Sequence, residues 1–214
     1  MNLIFAFDTE TTGLIDYKKP SDGPQQPHIV QLAALLADVD TGNVIQSMDV
    51  IIKPEGWAIP QETTDVHGIS TEHAMDVGVS EKTALIMFLS MWSKRERVAH
   101  NQGFDERIIR IACKRFAPNF LLADGSNPDQ WKGGTKHCTA MLGKPIMELP
   151  PTERMKQTNF RNSFKTPNLT EAYSFFTGKV LQNAHSAMAD TQACLDIYLA
   201  IKAGVDSDQS AVAA

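Results

Sequence analysis

Two carboxylates at the end of an apolar segment near the N-terminus constrain this chain more than any other feature. Residues Leu3 to Phe7 are aliphatic and aromatic, as expected of a buried strand, and Asp8 and Glu10 follow directly. Because residues i and i+2 of an extended chain point to the same side of a sheet, the two carboxylates project together. Close, partly desolvated like charges repel each other, and Mg²⁺ or Mn²⁺ would relieve that repulsion. The segment therefore predicts a metal site, although an ordinary solvated turn fits the pair taken alone.

The composition is that of a globular protein of one domain. The chain has 214 residues, of which 43% are hydrophobic and 21% charged. No apolar run approaches the ~20 residues that span a bilayer, and the first residues do not resemble a signal peptide. The cysteines Cys113, Cys138 and Cys194 form no close-spaced metal pattern and indicate buried thiols in a reducing compartment. A net charge of -5 argues against broad coating of nucleic acid but permits a local basic groove.

The apolar pattern predicts an α/β sheet of mixed direction. Runs at 3–7, 29–37 and 44–52 predict an antiparallel meander with the first strand central, and short strands are predicted at Val98–His100 and Lys136–Met141. Predicted helices begin at Ser80 and near Phe104, run from the N-cap Thr166 with Pro167 to Phe176, and run from Ala187 to Ala203 before Gly204. We expect one domain at 1–204 and a frayed tail at 205–214. An irregular insertion at about 117–166 includes the turn signal Gly125–Pro128.

Two further acidic residues fall where structure is expected. Asp105 lies at the predicted transition from a strand to a helix, and Asp190 shares a helical stripe with Cys194, Ile197 and Ile201. A carboxylate on an apolar stripe is costly unless it is paired or metal-bound. For Asp190, a buried salt bridge and a metal ligand are both open.

A histidine, His185, precedes Asp190 by five positions. A histidine just before a helix that carries a metal ligand can reach the metal-bound water, and an unperturbed imidazole with a pKa of ~6.5 suits a general base. A surface histidine at the start of a helix is the alternative.

Three segments together resemble the exonuclease motifs of DnaQ-like DEDD nucleases, a family that includes the proofreading ε subunit of the bacterial replicative polymerase. The segments are Asp8-Thr9-Glu10-Thr11-Thr12-Gly13, His100-Asn101-x-x-Phe104-Asp105 and His185-x-Ala187-x-x-Asp190. The histidine five residues before the last aspartate is typical of the DEDDh branch. His67-Gly68-Ile69-Ser70 resembles a further block of the family, and the matches run in order from about residue 3 to 201.

The resemblance implies a ribonuclease H-like fold, with a mixed five-stranded sheet flanked by helices. It implies a 3′→5′ exonuclease that releases nucleoside 5′-monophosphates from single-stranded DNA in proofreading or repair. It also implies two Mg²⁺ or Mn²⁺ ions. Asp8, Glu10 and Asp190 would hold the ion that carries the attacking water, Asp8 and Asp105 would serve the second, and His185 would be the base. The implied substrate contacts are Thr9, Thr11, Thr12, Gly13, Leu14, His67, Gly68, Ile69, Asn101 and Phe104.

Two alternatives stay open: an exoribonuclease that trims RNA 3′ ends, and a non-catalytic nucleic-acid-binding subunit. The sequence contains no recognisable clamp-binding peptide or polymerase domain, so it looks freestanding and specifies neither a polymerase partner nor an oligomeric state. We expect no membrane interaction and a cytoplasmic location in a bacterial or phage-infected cell.

Basic residues cluster at 94–115, with seven basic against three acidic, and at 153–165, where Arg154, Lys156, Arg161 and Lys165 accompany one acidic residue. This clustering leads to the hypothesis that both segments flank a groove for single-stranded nucleic acid. Solvated protein surfaces are the alternative.

Overall fold

The computed structural model describes residues 1–121 and 130–212, and its centre is a five-stranded sheet. The strands are β1 (Leu3–Thr11), β2 (Ile29–Asp38), β3 (Val44–Ile51), β4 (Arg97–Ala99) and β5 (Lys136–Cys138). Their order across the sheet is β3-β2-β1-β4-β5. β2 pairs antiparallel with both β1 and β3, whereas β4 pairs parallel with β1 and β5. The mixed five-stranded sheet, the antiparallel meander and the central first strand are therefore confirmed.

Helices cover both faces of this sheet. They are α1 (Gln61–His67), α2 (Thr71–Val77), α3 (Glu81–Trp92), α4 (Gln102–Phe116), α5 (Pro118–Leu121), α6 (Thr139–Met147), α7 (Glu153–Lys156), α8 (Leu169–Thr177) and α9 (Ala187–Val212). Within the described ranges, no helix is long and apolar enough to cross a membrane.

Alternation along β1 divides the core between the two faces of the sheet. Phe5 and Phe7 pack with residues of α3 and α4 on one face. Ile4 and Ala6 pack with Cys194 and other residues of α9 on the opposite face. Because β1 and β4 run parallel, their carboxyl ends lie at one edge of the sheet, where α4 and α9 also begin.

The predicted N-cap of α8 is wrong. The cap is Asn168 rather than Thr166: its side chain accepts a hydrogen bond from the Glu171 backbone at 2.8 Å, and the Glu171 side chain accepts one from the Asn168 backbone at 2.9 Å. This reciprocal capping box satisfies two backbone donors, which Thr166 followed by Pro167 would not do. The end predicted at Phe176 agrees with the structure to within one residue: α8 ends at Thr177, and Gly178 adopts the left-handed conformation typical of a helix end.

Two other predicted boundaries differ from the structure. The strand predicted at Lys136–Met141 ends at Cys138, because Thr139 already begins α6. The last helix does not end at Gly204 but continues to Val212, since a glycine inside a helix costs only about 1 kcal/mol.

The predicted insertion at 117–166 is less irregular than expected, since it contains α5, α6 and α7. Residues 122–129, with the turn signal Gly125–Pro128, and residues 213–214 of the predicted tail lie outside the described residues. The division into a domain at 1–204 and a frayed tail stays a prediction.

Candidate active site

Asp8 and Glu10 follow Ala6 by two and four residues, so their side chains lie on the same face of β1, which α9 covers. Both side chains are half-buried. The pairing of β1 with β2 shifts register just after Glu10, between Glu10 and Thr11. Such an irregularity bends a strand and ends regular pairing, so the backbone turns away immediately beyond the two carboxylates.

Asp105 reaches the same place from the first turn of α4 and is 3% exposed. Thr9 fixes its carboxylate, since the Thr9 backbone N–H and hydroxyl donate to Oδ1 at 3.1 and 2.7 Å. The hydroxyl of Thr9 is therefore directed at Asp105 and positions its carboxylate, while the substrate contact predicted at Thr9 stays a prediction.

His185 and Asp190 bracket the beginning of α9. The His185 backbone N–H donates to Oδ2 of Asp190 at 3.2 Å, and the exposed His185 adopts a left-handed backbone with φ of 69°. Oδ1 of Asp190 is buried and has no hydrogen-bond partner among the described residues. One ligand atom each of Glu10, His185 and Asp190 lies within 4.8 Å of the other two, so the structure brings these predicted site residues together.

Burial is the largest influence on the pKa of every acidic residue in this cluster. It raises the pKa of Asp8 well above its usual range, with further increases from Asp105, Asp190 and Glu10. It raises the pKa of Glu10 to about 8, with Asp190 and Asp105 adding repulsion. It raises the pKa of Asp105 to about 7 against the hydrogen bonds from Thr9, and it raises the pKa of Asp190 against the His185 backbone bond. The cluster therefore retains protons at neutral pH that carboxyls in water would have lost, because full ionisation would place several like charges together in a buried site.

These residues fit a hard divalent cation. The donors are carboxylate oxygens, one of them buried without a partner among residues 1–121 and 130–212. Their mutual repulsion is the penalty that a bound cation would remove. A cation would displace protons from the cluster on binding.

The turn after β1 contains the other predicted contacts of the first motif. Thr11 is buried and its hydroxyl donates to the Gly13 carbonyl at 2.8 Å. The hydroxyl of Thr12 accepts from the His28 backbone at 2.9 Å. Gly13 has φ of 149°, which favours glycine, and Leu14 is 87% exposed. The threonines thus shape the turn, while Leu14 presents an apolar side chain to solvent.

His67 lies close enough to His185 to interact electrostatically with it. The pKa of His67 is lowered by burial and then by the charge of His185. Its Nδ1 accepts from the Ile69 backbone at 3.1 Å, so a neutral ring has its proton on Nε2. Nε2 is buried without a partner in the described part of the chain. Gly68 ends α1 in the left-handed conformation, and Ile69 is a buried core residue that packs with Ala74.

Asn101 and Phe104 flank the start of α4. Asn101 is exposed in a left-handed conformation and makes no side-chain cap, whereas Phe104 packs against the core. Asn101 therefore remains available for a ligand, and Phe104 has mainly a packing role.

Comparison with known proteins assigns the family. The family model RNase_T, described as exonuclease, matches residues 5–198. The chain belongs to this exonuclease family. The predicted DnaQ-like family is thereby confirmed.

Relatives of this exonuclease-family chain include a bacterial polymerase and solved exonucleases. The PolC-type DNA polymerase III of Mycoplasmopsis pulmonis is 30% identical over 104 residues, which are 49% of this chain and 6% of the polymerase. E. coli exonuclease I in complex with a dT13 oligonucleotide has a TM-score of 0.70 and 20% identity, over 94% of this chain and 41% of that one. A zinc-bound E. coli exonuclease I complex with single-stranded DNA has a TM-score of 0.67 and 20% identity, over 95% and 41%. The chain thus spans less than half the length of these relatives, and the structural likeness confirms the ribonuclease H-like fold.

Much of the basic clustering of this exonuclease-family chain is structural. Arg97 is 0% exposed, lies 4.4 Å from the centre of the Trp131 ring and pairs with Glu106. Arg115 donates to the Pro27 and Gln26 carbonyls, and Lys165 pairs with Glu171. These three residues bind protein groups. The basic residues that could line the hypothesised groove are therefore exposed ones such as Arg154 and Arg161.

The sequence motif contained His100 but gave no indication of its contacts, and Gln31 was not identified from the sequence at all. His100 bonds the Thr139 hydroxyl at 2.9 Å and the Pro167 carbonyl at 3.2 Å, which ties β4 to α6 and to the segment before α8. Gln31 bonds the first residue of α9. The available signal for Gln31 was a polar residue inside the apolar run 29–37.

Proposed function

We propose that this protein is a metal-dependent 3′→5′ exonuclease that removes nucleoside 5′-monophosphates from single-stranded DNA. The convergence of Asp8, Glu10, Asp105 and Asp190 beside the exposed His185 carries the proposal. Membership of the exonuclease family and the likeness to exonuclease I bound to dT13 support it.

Two Mg²⁺ or Mn²⁺ ions would be held by the carboxylates, one by Asp8, Glu10 and Asp190 and the second by Asp8 and Asp105. When bound, such a pair stabilises the attacking and leaving oxygens of a displacement at phosphorus. Oδ1 of Asp190 is buried and has no partner in the part of the chain that the structure describes, which supports the assignment of Asp190 as a ligand. Ca²⁺ would not support the reaction, because it takes looser and larger coordination.

His185 would accept the proton of the attacking water. The water oxygen bonds to phosphorus, and the bond from phosphorus to the 3′ oxygen of the preceding nucleotide breaks. That oxygen takes a proton from solvent, so the shortened strand leaves with a 3′-hydroxyl. His185 is exposed, so its ring can reach water beside the carboxylates, while its backbone bond to Asp190 holds it there.

The groups around the carboxylates would hold the 3′-terminal nucleotide. His67 offers a buried Nε2–H donor next to His185, which suits an oxygen of the substrate. The exposed Leu14 offers an apolar surface for a base, and the backbone at Gly13 permits close approach. Asn101 is the remaining exposed polar candidate.

The proposed partner is the 3′ end of single-stranded DNA, in the cytoplasm of a bacterial or phage-infected cell. A bacterial PolC-type polymerase among the relatives supports a setting in replication or repair.

Digestion of 5′-labelled DNA and RNA of one sequence, with Mg²⁺, tests this proposal. We expect a ladder that shortens from the 3′ end on DNA, with little shortening of RNA and none for Asp190→Asn. The matched control is Asp196→Asn, which alters an aspartate of the same helix that accepts only from Gln192 at 2.8 Å among its described side-chain bonds. Equal or faster trimming of RNA would instead favour RNA maturation, and tight binding without any ladder would identify a non-catalytic subunit.

A further inference from the structure

We infer that Gln31 is a positioning residue that sets the distance between Glu10 on β1 and the His185–Asp190 pair at the beginning of α9. The inference rests on the proposed function, because it assigns a role in the same site.

The geometry of Gln31 begins with strand pairing. Gln31 lies directly opposite Glu10 in the antiparallel pair of β1 and β2. Directly opposed residues place their side chains on the same face with Cβ atoms about 4.5–5.5 Å apart. Gln31 is therefore the neighbour of a proposed metal ligand, and it is only 7% exposed.

The amide of Gln31 also holds the beginning of α9. Its Oε1 accepts from the Ala187 backbone N–H at 3.0 Å, across 156 positions of sequence. The first N–H groups of a helix have no partner within that helix, so this carbonyl satisfies a donor that burial would otherwise leave unpaired. Ala187 is fully buried and lies between His185 and Asp190. A shift of this bond therefore moves both residues relative to Glu10.

Asp49 on β3 fixes the orientation of that amide. The Nε2 group of Gln31 donates to Oδ1 of Asp49 at 2.7 Å. With the NH₂ group held by a carboxylate, the carbonyl oxygen is directed at Ala187. The series Asp49–Gln31–Ala187 thus joins three elements of the fold at the edge of the site.

The experiment compares Gln31→Met with a matched control, Gln192→Met. Methionine has a similar length and no hydrogen-bonding amide. Gln192 is exposed on α9 and donates to Asp196 at 2.8 Å, so the control removes an amide-to-aspartate bond like that of Gln31 with Asp49 without altering the bond at Ala187. The two readouts are the Mn²⁺ concentration that gives half of the maximal thermal stabilisation without substrate, and kcat and KM on a single-stranded DNA oligonucleotide.

For Gln31→Met we expect the half-stabilising Mn²⁺ concentration to rise by about 10-fold and kcat to fall by about 10–100-fold, as for loss of an outer-sphere partner. KM should change much less than kcat, because the side-chain bonds of Gln31 go to Asp49 and Ala187 and its proposed role is to position protein groups. Asp49→Asn should behave as the native protein, since an amide oxygen still accepts from Gln31, whereas Asp49→Ala should shift both readouts in the direction of Gln31→Met.

Values for Gln31→Met that equal those of Gln192→Met would overturn the inference. If Gln31→Met does not fold, Asp49→Ala decides in its place, because Asp49 is exposed. If the native protein binds Mn²⁺ but digests no DNA, the proposed function is contradicted. The half-stabilising Mn²⁺ concentration of Gln31→Met still tests the positioning role in that case.

Discussion

Asp190 has a buried carboxylate oxygen without a hydrogen-bond partner in the described ranges, beside three other carboxylates whose pKa values are raised. A buried carboxylate without a partner is unfavourable, so we expect Asp190 to bind a ligand that compensates its charge. The fold therefore holds four carboxylates close together despite their mutual repulsion, and a bound cation would relieve that repulsion.

Asp190→Asn should reduce exonuclease activity by more than the loss of an outer-sphere partner does, which costs about 10–100-fold, because the proposed role of Asp190 is that of a direct metal ligand. It should also raise the melting temperature of the metal-free protein at pH 8, since one of the repelling charges is removed. Steady-state digestion and thermal unfolding in EDTA measure the two effects. Full activity, or a lower metal-free melting temperature, would contradict the assignment.

Thr9→Val should weaken the site without removing a ligand. The hydroxyl bond to Asp105 lowers the pKa of that carboxyl, so its loss should raise that pKa further and reduce metal affinity. We expect activity at fixed Mn²⁺ to fall by about 10-fold, with recovery at higher Mn²⁺. Thr191→Val is the control, because this buried hydroxyl bonds only the Ala187 carbonyl of its own helix among described groups. If both variants lose the same activity, the loss follows from removing any buried hydroxyl and not from the bond between Thr9 and Asp105.

The carboxylates and His185 could be predicted from sequence because motif spacing places them. The role of Thr9 could not, because its partner Asp105 is 96 positions away and only the folded sheet brings them together. Gln31 depends on a contact across 156 positions, which no local pattern encodes.

At the scale of elements, the site depends on where helices begin. α4 and α9 both start at the carboxyl edge of β1 and β4, and α8 packs beside α9. The strands and the central position of β1 could be predicted from apolar runs. Helix boundaries were less predictable, because Asn168 and Thr166 are both acceptable caps in sequence and the bond with Glu171 decides between them.

Asn168→Ala should lower the free energy of unfolding by about 1 kcal/mol, the usual cost of losing an N-cap, and leave kcat nearly unchanged. Urea unfolding with and without Mg²⁺ measures the change. Asn162→Ala, in an exposed turn, is the control and should have no effect. A large fall in kcat at native stability would mean that α8 contributes to the site directly.

At the scale of the whole molecule, the acidic cluster links folding to pH and to metal. For an acid whose pKa is raised on folding, stability is fully present below the unfolded pKa and is lost as pH rises through the folded pKa. Glu10, with a usual value of 4.5 and a folded pKa of about 8, and Asp105, with a folded pKa of about 7, both have this sign.

The metal-free protein should therefore lose stability as pH rises from about 5 to 9. Saturating Mg²⁺ or Mn²⁺ should reduce this loss, because a cation competes with protons for the same oxygens. Melting temperatures across this range, in EDTA and in metal, test the linkage, and Glu10→Gln should flatten the EDTA profile. Identical profiles with and without metal would contradict a cation site at these residues.

If the carboxylates and His185 hydrolyse the 3′-terminal phosphodiester, the new oxygen of the product comes from water, and isotopic labelling detects it. Single-stranded DNA is digested in ¹⁸O-labelled water by the native protein, Asp190→Asn and Asp196→Asn, and the small products are analysed by mass spectrometry. We predict nucleoside 5′-monophosphates that carry one solvent oxygen, for the native protein and Asp196→Asn but not for Asp190→Asn. Nucleoside 3′-phosphates, unlabelled products or undiminished release by Asp190→Asn would contradict the account.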